Sequence, residues 1–265
     1  MTSNFLNIIV KDKQEEIKKI KKNVPEGTIR QKAFTFGNKR SFFKNLEHPG
    51  PTGINIIAEI KRASPSKGDI APDLDPVELA GKYEQGGAAA LSVLTEKKYF
   101  KGSVDDLRKA RQATTLPVLR KDFIISSYQI YESAAIGADA ILLIVRILTK
   151  GQLKDYLNLC KELNLDALVE IHSEEDLENA SISGAKLIGI NNRNLSSFET
   201  DLSIALHLVS MLEPDQIPIA ASGIKDRKDI EKNLAAGINN FLIGESLVRA
   251  KKTSAFIKSL GTRTK

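Results

Sequence analysis

From residue 54 onward, short β-type runs alternate with amphipathic helical stretches in strict succession, and this alternation limits the fold more than any other feature. The strand candidates are INIIAEIK (54–61), AALSVLT (89–95), LPVLRKD (116–122), DAILLIV (139–145), ALVEIH (167–172), KLIGINNR (186–193), IPIAASG (217–223) and NFLIGE (240–245). Between them lie helical patterns such as DPVELAGKYEQGG, with Asp75 in the N-cap position and Pro76 at the first helical position. Four segments, GGAAALSVL, IGADAILLI, SGAKLIGIN and AGINNFLIG, each place glycine at a helix end and then enter a strand. Successive β-then-α units build a parallel sheet. Eight of them over about 210 residues suit a closed (β/α)8 barrel of the TIM type. The alternative, an open doubly wound sheet, usually carries G-x-G-x-x-G after its first strand, and that signature is absent here.

The expected organisation is an N-terminal helical extension, residues 1–53, followed by a barrel over residues 54–265. The extension contains the helical QEEIKKIKKNV and an amphipathic turn, RSFFKNLEHPGPTG, ending in a Pro/Gly breaker. It is too short and too poor in apolar residues for a core of its own, and is expected to lie across one barrel face.

Side chains alternate along a strand. Ile54, Ile56, Ala58 and Ile60 are uniformly apolar and should face the helices. Asn55, Ile57, Glu59 and Lys61 then face the barrel interior, with the two charges at its C-terminal mouth, where active sites of this fold lie. By the same parity Lys121, Glu170, Asn191 and Arg193 arrive at that mouth from three other strands. One inward charge could belong to a structural ion pair; six polar groups converging on one opening point to a site. The last two strands add Gly223 and Gly244, each followed by a helix start, a pattern that suits phosphate held by backbone N–H groups.

Composition narrows the partners. Of the 265 residues 42% are hydrophobic, enough for a large core, and the formal net charge of +6 invites a nucleic-acid reading. However, the lysines cluster in the N-terminal helix and elsewhere mix with acids, and tryptophan is absent, so a solvated helix face and a small anionic substrate are expected instead of nucleic acid. The single cysteine, Cys160, sits in a helical pattern as a packing residue. There is no signal-peptide pattern, and the longest apolar run, AILLIV, cannot span a bilayer. A cytoplasmic protein without membrane contact is the expectation. His48, His172 and His207 lack metal-ligand spacing, so no metal is expected, and His172 is assigned to a solvent-exposed loop.

AEIKRASPSKG, LSVLTEKKYFKGS, LRKDFIISSYQI, ADAILLIV, LVEIH, IGINNRNL and LIGESL resemble, in order and spacing, the motifs of the indole-3-glycerol phosphate synthases. The likeness spans residues 54 to 250, and the combination of E-x-K-x-x-S-P-S with L-x-K-D-F and I-G-I-N-x-R-x-L is far more specific than any single piece. The resemblance implies a carboxy-lyase of tryptophan biosynthesis that closes 1-(2-carboxyphenylamino)-1-deoxyribulose 5-phosphate to indole-3-glycerol phosphate with loss of CO2 and water. It implies no cofactor. It assigns Lys121 as general acid, Lys61 as partner of the substrate carboxylate or helper in dehydration, and Glu170 as base; clustered cations are expected to lower the Lys121 pKa toward the useful range. Glu59 and Asn191 hold the lysines and substrate hydroxyls. Ser64, Arg193, Ser222, Gly223 and Gly244 contact the phosphate end, while Phe100, Phe123 and Leu142 line the aromatic pocket.

One departure stands out. The family usually carries Glu before the Ser-Gly of the seventh strand, and here IAASGI has Ala221. A catalytically impaired, phosphate-ligand-binding barrel is therefore one alternative. Another phosphosugar barrel, such as phosphoribosylanthranilate isomerase, is a second, although that chemistry wants cysteine where the first strand has Glu59 and Lys61. A Schiff-base aldolase, suited by a strand-end lysine, is a third.

Overall fold

The computed structural model describes residues 4–193 and 199–262. Among these, eight parallel strands close a barrel: β1 (Asn55–Ile60), β2 (Ala90–Leu94), β3 (Val118–Lys121), β4 (Ala140–Ile144), β5 (Asp166–Ile171), β6 (Leu187–Asn191), β7 (Ile217–Ala221) and β8 (Asn240–Ile243). Each stave pairs with the next in sequence, and β1 pairs β8 to complete the ring. The eight expected runs all become staves. The last two residues of the IGINNRNL motif, Asn194 and Leu195, lie outside the described residues.

Local chemistry starts the connecting helices where the pattern places them. Asp75 accepts from the Val77 N–H ahead of the Pro76–Gly86 helix, and Gly87 ends that helix at φ +88°. Thr149 and Gln152 form a reciprocal capping box for Lys150–Glu162, and Ser103, Ser126, Ser173 and Asp226 cap four others.

Strand parity divides the core in two. Ile54, just before β1, and Ile56, Ala58 and Ile60 within it join Leu91, Val93, Leu143 and Val169 in the layer between sheet and helices. Ile57, Leu119, Leu142, Leu168, Ile219 and Leu242 fill the interior. The mouth-side neighbours of these inner residues, two positions on, include Glu59, Lys121, Glu170 and Gly244. A plug of aliphatic side chains thus supports a charged layer.

Instead of lying across one face, the extension touches both ends of the barrel. Helix α1 (Asn4–Asn23) crosses the mouth, helix α2 (Glu26–Thr35) packs beside the Ser127–Ala135 helix, and α3 (Lys44–Glu47) reaches the bottom. There Phe42 and Leu46, both fully buried, pack against the inner aliphatic layer. The strand starts hold this strap: Asp139 Oδ1 accepts from the Arg40 N–H, Asp166 Oδ2 from the Phe43 N–H, and Asn55 Nδ2 donates to the His48 carbonyl. Phe42 is apolar because it closes the barrel floor, which a local reading cannot foresee.

Candidate active site

The mouth opens into a cavity of about 690 Å³. All thirteen residues proposed from the sequence, including Ser64, Phe100, Phe123, Leu142, Ser222, Gly223 and Gly244, line it. Residues as distant in the chain as 59 and 244 meet because the barrel closes between β1 and β8.

Two lysine–carboxylate pairs organise the floor. Lys61 Nζ stands 2.6 Å from Glu59 Oε1, and Lys121 Nζ stands 3.5 Å from Glu170 Oε2. The other oxygen of Glu170 accepts from Asn191 Nδ2 at 3.1 Å, and Asn191 Oδ1 accepts from the Arg193 N–H at 3.0 Å. Arg193 Nη1 in turn donates to Ser66 Oγ, tying the loop after β6 to the loop after β1. The latter loop is a small antiparallel ribbon, Ala63–Ser64 with Gly68–Asp69.

Charge states follow from these neighbours. Burial alone would depress Lys121, but the carboxylates of Glu170 and Glu59 outweigh it and hold the ammonium above the ordinary lysine value. The expected lowering by clustered cations is therefore not met, because the groups nearest Lys121 are acids. Burial would likewise raise Glu170, yet Lys121, His172 and the Asn191 amide together keep it below the ordinary carboxylate value. Lys121 therefore holds its proton and Glu170 is ionised.

The rim of the cavity has an aromatic side and a glycine side. Phe100 and Phe123 lie with ring centroids 6.2 Å apart. The Phe100 loop is held by Glu96, whose Oε2 accepts from the Tyr99 and Phe100 N–H groups. Across the mouth, Ser222 and Gly223 turn at φ +68° and +85°, so β7 ends in two successive left-handed residues. At Gly244 a Cβ would run into Glu59 Oε1 and stand 3.0 Å from Lys61 Nζ, so glycine there keeps space for the ion pair itself. Ala221 lines the cavity beside Asn191, its partner in the β6–β7 register.

His172 departs from expectation. The ring is buried, with Nε2 3.6 Å from Glu170 Oε1, because the Asp176 side chain accepts the His172 N–H and folds the start of the next helix over it. Sequence reading also missed Phe5, Leu6 and Ile9 of α1, which line the cavity from above. Their spacing is helical, but nothing local says which surface that helix covers. Among the described residues no cluster of metal-ligating side chains occurs.

Against known proteins, the profile of the indole-3-glycerol phosphate synthase family matches residues 6–260. The chain belongs to that family. It is 58% identical to the indole-3-glycerol phosphate synthase of Desulfosudis oleivorans, covering 98% of this chain and 99% of the relative. It is 49% identical to that of Syntrophobacter fumaroxidans, with 97% of each chain covered. Among solved structures, a thiamine phosphate pyrophosphorylase from Pyrococcus furiosus shares the fold at a TM-score of 0.60 and 15% identity, covering 78% of this chain and 93% of its own. The N-acetylmannosamine-6-phosphate 2-epimerase from Clostridium perfringens does so at 0.59 and 16%, covering 79% and 92%. These two likenesses speak for the barrel alone; the family match reaches from α1 to the final helix.

Proposed function

We propose that this chain is an indole-3-glycerol phosphate synthase: it closes 1-(2-carboxyphenylamino)-1-deoxyribulose 5-phosphate to indole-3-glycerol phosphate, releasing CO2 and water in tryptophan biosynthesis. The observation that carries this is the pair of lysine–carboxylate couples facing one cavity beside two phenylalanine rings.

The ring carbon bearing the substrate carboxylate attacks the ketone carbon of the sugar chain, and Lys121 delivers its proton to the developing alkoxide. Loss of CO2 restores electrons to the ring. The new hydroxyl then leaves as water, and Glu170 takes the carbon-bound proton as the indole forms. Lys61 draws the substrate carboxylate to the floor and assists departure of the hydroxyl, with Glu59 and Asn191 fixing the ammonium groups and sugar hydroxyls. Ser64, Arg193, Ser222, Gly223 and Gly244 take the phosphate end, where left-handed backbone and a guanidinium suit a dianion. Phe100, Phe123 and Leu142 flank the anthranilate ring, burying its faces.

Ala221 motivates the second reading, a barrel that binds but does not turn over. Glu59 and Glu170 each already stand against a lysine, so both couples are complete without a further acid at 221. Turnover is the reading favoured.

The net charge of +6 suits a phosphorylated substrate by raising its concentration near the mouth. Among the described residues no helix is long and apolar enough to cross a membrane. Burial pushes the Cys160 thiol up to about 12, which makes it a packing residue and not a nucleophile.

The test is direct. Purified protein given the carboxyphenylamino-ribulose phosphate should generate indole fluorescence, with no adduct trapped by borohydride. Tight binding with no fluorescence rise would overturn the synthase reading in favour of a binding barrel, and a borohydride-trapped lysine would favour an aldolase.

A further inference from the structure

A buried polar atom without a partner costs free energy, so its persistence asks for a reason. His172 carries two: among the described residues neither ring nitrogen has a hydrogen-bond partner, although the side chain is only 4% exposed. Its position is the informative part. On one side Nε2 lies 3.6 Å from Glu170 Oε1, just beyond hydrogen-bond reach. On the other, Nδ1 lies 3.9 Å from Asp176 Oδ2, a carboxylate fixed by the His172 N–H and by Arg146 Nε. His172 also lines a second cleft, of about 540 Å³, with Ser173, Glu174, Ser203 and His207. Among the described residues none lines both this cleft and the main cavity.

We propose that His172 relays protons between Glu170 and this second cleft during turnover, acting as a positioning and relay residue that never touches the substrate. The inference rests on the assignment of Glu170 as base. Once Glu170 has taken the carbon-bound proton it is a neutral acid beneath bound ligand, and it must become a carboxylate again before the next cycle. Its proton passes to the Nε2 lone pair, forming an imidazolium. That cation releases its Nδ1 proton towards Asp176 and the cleft; after product release the Nε2 proton leaves to water entering the open mouth and Nδ1 takes a proton back from the cleft, which restores the starting tautomer. Only a proton moves, and no oxidant or metal is needed.

The surroundings suit this exchange. Glu170 on β5, Asp176 on the following helix, Arg146 in the turn after β4 and Lys121 on β3 all face the ring, while Glu174, Glu175 and His207 sit at the cleft. Burial, with Arg146 and Lys121, depresses the imidazole more than Glu170 and Asp176 raise it, so the ring is neutral near pH 7 and ready to accept.

The test uses His172→Ala and His172→Gln in the indole-fluorescence assay. Both should lose roughly ten- to a hundredfold in kcat with little change in KM. Added imidazole should restore His172→Ala saturably, through the space the ring vacated. A fully active Gln variant would reduce His172 to a spacer and overturn the relay, as would unchanged kcat in the Ala variant or no response to imidazole. If the Ala variant fails to fold, the Gln variant and its pH–rate profile decide: a lost pH dependence supports the relay and a wild-type profile overturns it. A wild-type protein that makes no indole-3-glycerol phosphate would instead strike down the functional assignment, so the two failures are separable.

Discussion

Lys121 and Glu170 oppose each other 3.5 Å apart on side chains that are 18% and 5% exposed. A buried ion pair is a poor way to stabilise a fold, since desolvation of both charges offsets most of their attraction. Its value lies in presetting proton positions, with one group loaded and the other empty. Lys121→Ala should therefore lower kcat by about 10²- to 10⁴-fold while leaving the circular-dichroism spectrum and the cooperative unfolding transition in place. A near-normal rate would remove Lys121 from the mechanism. The pair also imposes a pH signature on stability. Glu170 lies below its ordinary 4.5, so its contribution is present above that value and lost as pH falls through the lower folded value. Lys121 lies above its ordinary 10.5, so its contribution is present below that value and lost as pH rises through the higher folded value. Denaturant titrations of wild type and Glu170→Gln should thus differ most between these limits. Their difference should shrink as pH falls below 4.5; a constant difference into acid would contradict the assigned direction.

At the scale of elements, α1 contributes more than a solvated basic face. Lys13 projects from it to Asp122 Oδ1 at 3.0 Å, and Asp122 is the chain neighbour of Lys121. The same carboxyl group accepts from Thr95 Oγ1 and stands 3.2 Å from Arg120 Nη2, so the helix over the mouth is bonded to the stave that carries Lys121. Asp12 of α1 adds a contact to Lys98 at 2.8 Å, and Phe5 packs edge-on to Tyr99 at 5.3 Å, fastening the helix to the Phe100 loop. Lys13→Ala leaves Asp122 with Arg120 as its charged partner. It should cost about 1–3 kcal/mol in chemical denaturation and raise KM more than it lowers kcat. An unchanged KM would mean that α1 covers the site without shaping it. None of this is visible in KDKQEEIKKIKKN, where the buried Lys13 looks like its exposed neighbours.

For the whole molecule, the barrel keeps its charged cavity and its buried strap at opposite ends. The mouth carries unlike charges around a cavity, and the floor is closed by Phe42 and Leu46 from the strap. Phe42 is fully buried, so Phe42→Ala should destabilise by about 3–5 kcal/mol in equilibrium unfolding. Turnover below the transition should stay within about twofold of wild type, because the inner aliphatic layer separates residue 42 from the lysines. A large loss of kcat in folded protein would show that the floor sets the geometry of the mouth.

How much of this was legible in the chain follows from how far each interaction reaches. Periodicity is a local property, so the eight staves, the capped helices and the inward set of Glu59, Lys61, Lys121, Glu170 and Asn191 could be read from alternation alone. Ordered motifs carried the family resemblance for the same reason: they are short words, each within one stave and its loop. Contacts formed only on closure carry no such local mark. Tertiary structure alone decided that α1 spans the mouth, that Phe42 stops the floor and that Gly244 makes room for the Glu59–Lys61 pair. It also decided that Lys121 is surrounded by acids and that His172 is buried against Glu170. Burial and electrostatic surroundings are sums over neighbours distant in sequence, and those neighbours are chosen only when the ring of strands closes.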